Sequence, residues 1–562
     1  MIRLSLIAFI MIPILLGMIG AIMPAVGYLP PLGGHRLSSE PLFAFMALPG
    51  INHSIILSLF TGLVATVLST ILAMILPGLV YGKASFRFLG RYLSPILSLP
   101  HITVAVGILF LLQPSGWLLR IISPYFTGFD RPPIDYIFPD QAGWALVVGL
   151  MAKEVPFLVL MTLSALSQIN TRPMLTVARS MGYGPLAAWM YIIMPALWLR
   201  LRLPVLIVLV FSLSVVDMAI VLAPTTPPPL AVRVVTLYQD PDLSQRFVAS
   251  VAAMVQMMIV LIGAIALFGS ITIISRLMRL CAYAGYRFQP KAGHVVMLIK
   301  SAFISVALIP MVFAIIGLGA AILWTFAGRW RFPSAWPDVF TLRYWLGAFD
   351  GFYHVIQTTF ILGFTSAFLG LVVVMIWLGA KQSSALSRHQ QQRWTENLLF
   401  LPLVLPQIGF LFGIQIMLLW LRLDGSILAL IWTHMLFVVP YIWLALAPSW
   451  RSFNPDWLNL AGNLGASPIR RFFSVRLPIM IQPVMVSLAI GFSVSAALYL
   501  PTVFAGNGQV ITLTVEAVTL ASGASRAQLG IATVFQMILP LSVYILAGVI
   551  AGYRTRRLSY FD

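Results

Sequence analysis

The sequence contains little charge for its length. Only 9% of its 562 residues are Asp, Glu, Lys or Arg, whereas 60% are hydrophobic. A soluble protein of this length needs far more charge to cover its surface, so the composition excludes a soluble protein. Apolar runs of about 20 residues recur, which is the length a helix needs to cross a hydrocarbon layer of about 30 Å. The sequence therefore predicts an all-α polytopic membrane protein.

Cysteine, metal-ligand clusters and a nucleotide-binding motif are also lacking. Cys281 is the only cysteine, which excludes an intrachain disulfide, and the seven histidines form no metal-ligand cluster. The closest string to a phosphate-binding loop, Gly78 to Ala84, is one residue short and lacks the hydroxyl that magnesium needs. We expect no cofactor, no metal and no ATP hydrolysis on this chain. The scarcity of acids likewise argues against a membrane enzyme.

About twelve membrane spans are predicted. The first follows Arg3 and resembles a signal peptide, but it has no clear small-x-small cleavage site followed by polar sequence. Its removal would also break the count of six spans per half, so we interpret it as a retained helix. The predicted spans are roughly 4–26, 53–80, 94–113, 142–168, 202–223, 248–275, 300–324, 353–379, 397–421, 425–448, 480–500 and 528–552.

The basic residues indicate an orientation. A net charge of +19 would suggest nucleic acid for a soluble protein, but cytoplasmic loops of membrane proteins are also rich in Lys and Arg. With a cytoplasmic N-terminus, the inner segments hold 23 of the 34 basic residues and three of the 15 acidic ones. The outer segments hold ten of each. We therefore expect both termini in the cytoplasm, a lipid bilayer as the environment and no nucleic-acid partner.

The chain is an internal repeat. Gly50-Ile-Asn-His53 opens the second span as Gly351-Phe-Tyr-His354 opens the eighth, and the Pro100–Gly107 spacing returns as Pro406–Gly413. Six spans per unit predict two parallel repeats. The predicted halves are 1–275 and 300–562, joined by a basic cytoplasmic linker, 276–299.

One polar loop in each half carries the clearest repeat. These loops, 171–200 and 450–479, contain TVARSMGYGPLAAWMYIIMP and NLAGNLGASPIRRFFSVRLP. We predict a short helix that begins at Pro185 and at Pro468, where a missing N–H costs nothing, with Gly184 and Ser467 as N-caps.

We expect these short helices to offer apolar side chains to the cytoplasm. Exposed apolar side chains favour a protein interface, and the alternative is a helix lying on the lipid surface. Two copies with common spacing favour the interface. The residues concerned are Ala178, Gly182, Pro185, Leu186, Ala187, Trp189, Ile192 and Pro195, and Ala461, Gly465, Pro468, Ile469, Phe472, Phe473, Leu477 and Pro478.

Both loops resemble the EAA loop of ABC-importer permeases, E-A-A-x3-G-x9-I-x-L-P. The second Ala, the Gly and the Pro match in both copies. The leading Glu is Thr176 in one copy and Asn459 in the other, and the first Ala is Val177 or Leu460. The whole chain resembles the fused two-times-six, MetI-like permeases of iron(III), thiamine and polyamine importers. That resemblance implies a type I importer permease fold whose loops form coupling helices on two copies of a cytoplasmic ATPase. It also implies a soluble substrate-binding protein as partner and a bacterial inner-membrane location.

The resemblance further implies that the fifth and eleventh spans line a translocation path. Asp217 is costly in hydrocarbon; it has either a structural partner, such as Lys153 or a backbone amide, or a role favouring cationic cargo. Lys153 and Glu154 point about 100° apart on a helix, and we interpret them as packing or gating residues. The path residues implied are Ser212, Ser214, Asp217, Ser493, Ser495 and Tyr499.

A secondary transporter is the main alternative, because twelve spans in two halves also occur there. Residues 82–91 resemble the major-facilitator loop G-x3-D-R-x-G-R, but Phe86 replaces the Asp. Transport by the chain alone, without an ATPase, would favour this alternative.

Overall fold

The computed structural model describes residues 2–81, 93, 97–286, 293–379, 396, 398–523 and 525–558. Within these ranges all regular structure is helical, apart from two isolated bridges, Leu29 with Gly34 and Ala327 with Phe340. The all-α prediction is therefore confirmed. The loop 82–91 and most of its neighbours lie outside the described residues.

The chain up to Phe326 forms thirteen labelled helices within the described residues, and a π-helical turn, Trp189–Ile193, joins α8 to α9. They are α1 (Ile2–Ala25), α2 (Glu40–Met46), α3 (Ile51–Val80), α4 (His101–Leu112), α5 (Trp117–Ile122), α6 (Trp144–Leu166), α7 (Thr171–Ser180), α8 (Pro185–Ala188), α9 (Met194–Ser214), α10 (Asp217–Leu222), α11 (Leu230–Tyr238), α12 (Gln245–Tyr283) and α13 (Gly293–Phe326).

The remaining helices follow the same order, with a second π-helical turn at Phe472–Arg476. They are α14 (Ala348–Gly379), α15 (Leu401–Val404), α16 (Ile408–Trp420), α17 (Ile427–Ser452), α18 (Asp456–Asn463), α19 (Pro468–Arg471), α20 (Leu477–Ile479), α21 (Ile481–Ala497), α22 (Leu500–Gly506), α23 (Leu513–Ala521) and α24 (Arg526–Leu558).

Ten helices of the described residues are long and apolar enough to cross a membrane. An eleventh is obtained if Pro468–Ile479 and Ile481–Ala497, which meet at an 80° bend, count as one span. The ninth predicted span contains α16, which has only 13 residues. It is shorter than the other spans because Leu405 and Pro406 separate it from α15. Every predicted span thus coincides with a helix, which confirms a polytopic helical membrane protein.

The helices form two compact units. The amino-terminal unit comprises Ile22–Leu97 and His101–Arg343, and the carboxy-terminal unit comprises Met1–Ala21, Ser98–Pro100 and Tyr344–Asp562. Most of α1 therefore packs within the carboxy-terminal unit, whereas α13 packs within the amino-terminal unit. Each sequence half contributes its first long helix to the unit of the other half.

Glycines allow these two exchanged helices to pack closely. In the carboxy-terminal unit, a Cβ on Gly413 of α16 would overlap the backbone of Gly17 on α1. In the amino-terminal unit, a Cβ on Gly317 of α13 would overlap the backbone of Gly107 on α4. Close backbone approach of this kind requires small residues at both positions.

A buried arginine joins α5 to the segment after α13. Arg120 Nε donates to the Ser115 carbonyl at 2.9 Å, and its Nη1 donates to the carbonyls of Arg331 at 2.9 Å and Ser334 at 3.2 Å. Its guanidinium also lies 4.7 Å from the Trp330 ring centroid. Carbonyl dipoles and an aromatic face thus stabilise this cation.

Candidate functional site

The first polar loop has a backbone that its glycine makes possible. Gly182, just beyond the end of α7, has φ +84°, a left-handed conformation that glycine adopts without steric cost. The N–H of Tyr183 bonds to the Ala178 carbonyl at 3.1 Å, and the N–H of Gly182 bonds to the Arg179 carbonyl at 2.9 Å. These bonds satisfy carbonyls at the end of α7 and turn the chain sharply into α8.

The second polar loop repeats this geometry. Gly465 has φ +82°, and the N–H of Ala466 bonds to the Ala461 carbonyl at 3.0 Å. The short helix α19 begins at Pro468, and the Ser467 side chain accepts from the Arg470 N–H. In the first loop, α8 begins at Pro185 with Gly184 as N-cap. The predicted helix starts and N-caps are therefore confirmed in both copies.

The expected exposure of Ala187 and Trp189 is wrong. Both are buried, and Trp189 is only 2% exposed. Its Nε1 donates to the Met74 carbonyl at 3.0 Å, and a Cβ on Gly78 would lie 2.5 Å from its indole ring. Gly78 of α3 thus leaves the space that this indole fills, so the aromatic side chain turns inward.

The second loop keeps its apolar side chains accessible. None of the residues of α18, α19 or the turn Phe472–Arg476 is buried. Ile469 and Phe473 are exposed, as expected, whereas Phe472 is half-buried against Trp450. The two copies therefore share a backbone but differ in how much apolar surface they present.

The helix before each glycine carries an exposed apolar pair that was not predicted as a contact surface. Val177 and Met181 in the first loop, and Leu460 and Leu464 in the second, are all more than half exposed. They occupy the same repeat positions, four residues apart, so each pair shares one helix face. Aligning the two loops for apolar residues upstream of the glycines would have found them.

The remaining predicted loop residues differ in exposure. Ala178 is buried, Pro185 and Pro468 are exposed, and Leu186, Ile192, Pro195, Ala461, Leu477 and Pro478 are half-buried.

The fifth and eleventh spans are both interrupted where the path residues were predicted. The first break lies at Val215–Val216, directly before Asp217, and the second lies at Leu498–Tyr499. Asp217 is buried and is the first residue of α10.

The serines predicted along the path lie in these spans, and two have intramolecular partners. Ser214 Oγ donates to the Val210 carbonyl at 2.6 Å, and Ser495 Oγ lies 2.7 Å from His434 Nδ1. Ser212 is buried and Ser493 is half-buried, whereas Tyr499 is half-buried in the break itself.

Polar side chains on other helices bind the chain at the breaks. Gln256 Nε2 donates to the Leu213 carbonyl at 2.9 Å in the amino-terminal unit. In the carboxy-terminal unit, Gln536 Nε2 donates to Thr514 Oγ1, which in turn donates to the Ala496 carbonyl. Interrupted helices in apolar surroundings require such partners for their freed carbonyls. No local sequence pattern marks these residues.

A helical membrane protein with two EAA-like loops is similar to the permeases of ABC transporters, and comparison with known proteins agrees. No family model matches the chain. It is 28% identical over 510 residues to the inner membrane ABC transporter permease protein YnjC of Escherichia coli (strain K12), covering 91% of this chain and 90% of the relative. It is therefore a multi-pass inner-membrane protein similar to ABC transporter permeases.

Two further relatives match about one third of the chain. A putative 2-aminoethylphosphonate transport system permease protein, PhnV of Salmonella typhimurium, is 23% identical over 190 residues, which are 33% of this chain and 69% of the relative. A spermidine/putrescine transport system permease protein PotC homolog of Mycoplasma pneumoniae is 24% identical over 190 residues, 32% of this chain and 65% of the relative. All three are named as transport permeases.

Proposed function

We propose that this chain is the channel-forming subunit of a binding-protein-dependent ABC importer and that its two polar loops dock on a separate ATPase. The main support is the repeated geometry of the loops. Both have a helix, a left-handed glycine, a short helix that begins at proline and a π-helical turn. Each then leads into an interrupted span, so movement of a loop reaches the membrane interior through its helix.

The exposed apolar pairs supply the contact surface. Val177 with Met181, and Leu460 with Leu464, would enter a groove on each ATPase subunit. Exposed apolar side chains at equivalent positions of two loops favour two identical partners, because each loop then presents the same pattern. We therefore infer two ATPase copies in the complex. The similarity to ABC transporter permeases favours one soluble substrate-binding protein as a further partner, and the distribution of basic residues favours cytoplasmic termini.

The cargo is a small polar solute, and a cationic one such as iron, thiamine or a polyamine is the favoured class. Two relatives are named for 2-aminoethylphosphonate and for spermidine and putrescine, all of which carry an ammonium group. The buried carboxylate of Asp217, beside the break in the fifth span, also favours positive charge.

The docking surface is tested by replacing Val177 and Leu460 with Asp. A charge in the centre of an apolar contact should cost several kcal/mol, so ATPase co-purification should fall at least tenfold. Matched controls are Ile134→Asp and Leu346→Asp, which change exposed apolar residues outside the loops. Membrane insertion should be normal in all four variants.

Two results would contradict the proposal. The first is unchanged ATPase association in a Val177→Asp/Leu460→Asp double variant that inserts normally. The second is transport by the reconstituted chain alone, driven by an ion gradient and without ATP, which would favour the secondary transporter.

A further inference from the structure

Ionisable side chains cluster at the beginning of α4, in the amino-terminal unit. His101 is the first residue of α4, and Lys153 and Glu154 lie at the middle of α6. Both α6 residues are buried within an apolar span. Ionisable groups in such a position are energetically costly and mark functional sites.

Lys153 has a backbone partner, whereas the carboxylate of Glu154 is less well satisfied. Lys153 Nζ donates to the Leu97 carbonyl at 3.2 Å. Glu154 Oε1 lies 3.9 Å from His101 Nε2, which is beyond hydrogen-bond distance. Among the described residues, no hydrogen bond to this carboxylate is formed. A donor brought by a ligand would fill this deficit.

The His101 ring lies beside the carboxylate, and a second ring packs against His101. The His101 ring packs against Phe211 of α9 with 4.5 Å between centroids. The His101 side chain is 29% exposed and that of Glu154 only 7%, so the imidazole is the more accessible group and the carboxylate lies deeper. Phe211 is half-buried. A carboxylate behind accessible rings is an arrangement suited to an organic cation.

The second half shows that the fold does not need these charges. Pro156 in the fourth span and Pro440 in the tenth occupy equivalent positions of the repeat. The same offset relates Lys153 to Phe437 and Glu154 to Val438. Both apolar residues are fully buried in α17. Apolar side chains therefore serve packing at these positions, and the charged pair in the first half needs another explanation.

We propose that Glu154, together with His101 and Phe211, binds the ammonium group of a small organic cation. The carboxylate supplies the counter-charge and hydrogen-bond acceptors, and the Phe211 ring supplies a cation–π contact. The inference rests on the proposed import function, because it assigns the cation to the cargo. It extends that function by placing the recognition in the amino-terminal half alone.

The test uses the purified full chain in lipid nanodiscs without the ATPase. A hydrophobic carbodiimide should modify Glu154, and peptide mass spectrometry follows the rate. The probes are methylammonium, putrescine, spermidine and 2-aminoethylphosphonate, each compared with sodium chloride at equal ionic strength. At least one ammonium probe should slow modification of Glu154 fivefold or more, whereas sodium should not, and Phe211→Ala should remove the protection.

A second measurement makes the result independent of carbodiimide access. The same probe should raise the melting temperature of the wild-type chain but not of Glu154→Gln. If that variant does not fold, Glu154→Val, which copies the second half, replaces it. The exposed-site variant Glu40→Gln is the matched control and should respond like wild type.

The assignment is overturned if no ammonium probe either protects Glu154 or shifts the melting temperature. It is also overturned if Phe211→Ala leaves the protection of Glu154 intact, or if Glu154→Gln leaves the shift in melting temperature intact. Failure of ATPase docking would instead appear in the Val177 and Leu460 variants and would leave these binding measurements unchanged.

Discussion

Trp189 and Phe472 occupy the same position in the two loops, yet the structure predicts opposite costs for their removal. Trp189 is buried against Gly78 and hydrogen-bonded to the Met74 carbonyl. Phe472 is half-buried. Its ring is tilted against the Trp450 ring and meets the Phe473 ring edge to face. The pair therefore provides a matched comparison within one chain.

The cost of Trp189→Ala follows from its burial. Truncation of a buried large aromatic residue costs about 3–5 kcal/mol. Trp189→Phe keeps most of the packing and removes the hydrogen bond, which contributes about 0.5–1.5 kcal/mol. Phe472→Ala should cost less than about 2 kcal/mol, because much of that ring already contacts solvent.

Hydrogen exchange of the loop backbone measures these costs locally. Since about 1.4 kcal/mol corresponds to a tenfold change, Trp189→Ala should raise exchange in 171–195 by roughly 10² to 5 × 10³-fold. Trp189→Phe should raise it by roughly tenfold or less, and Phe472→Ala should raise exchange in 456–479 by less than about 30-fold. Mass spectrometry of peptides from both loops gives the comparison in a single sample.

Equal acceleration of exchange in the two loops by Trp189→Ala and Phe472→Ala would contradict the predicted difference in cost. Unchanged exchange in 171–195 of a folded Trp189→Ala variant would contradict it as well. Either result would mean that the contact with α3 does not stabilise the first loop.

Two further predictions concern the packing of each unit. Gly413→Leu should prevent α1 from packing on α16, because overpacking against backbone costs at least about 1–3 kcal/mol. The yield of monodisperse protein should therefore fall. The control Gly548→Leu should leave the yield unchanged, because a Cβ added there meets nothing within 4 Å. Arg120→Lys should make the segment 327–343 accessible to trypsin, because an ammonium group cannot bond to three carbonyls and also stack on Trp330. The control Arg131→Lys changes an exposed arginine and should leave cleavage of this segment unchanged. Equal yields in the first comparison, or equal cleavage in the second, would contradict these packing arguments.

Local backbone features of the loops were predictable from the sequence. Proline at the first turn, serine as N-cap and glycine after a helix each follow from the chemistry of a few neighbouring residues. The same holds for the spans, whose length is set by the bilayer. These features need no knowledge of distant contacts.

Features that depend on distant contacts were not predictable. The burial of Trp189 depends on Gly78, more than a hundred residues earlier, and nothing in the loop distinguishes it from Phe472 in this respect. The exchange of α1 and α13 between units likewise depends on which glycine faces which helix. Periodicity indicates an apolar helix but does not indicate its partner.

The two loops therefore connect the same motif to the membrane in different ways. From Pro185 to Ser214 the first loop continues as one helix up to the break before Asp217, and Tyr183 Oη also donates to the Ala282 carbonyl of α12 at 3.0 Å. The second loop reaches its break through an 80° bend between Ile479 and Ile481, and its apolar side chains stay accessible. A continuous helix transmits displacement along its axis, whereas a bend can absorb part of it. Equal displacement of the two loops should therefore move the amino-terminal break, beside the buried acid, more directly than the carboxy-terminal one.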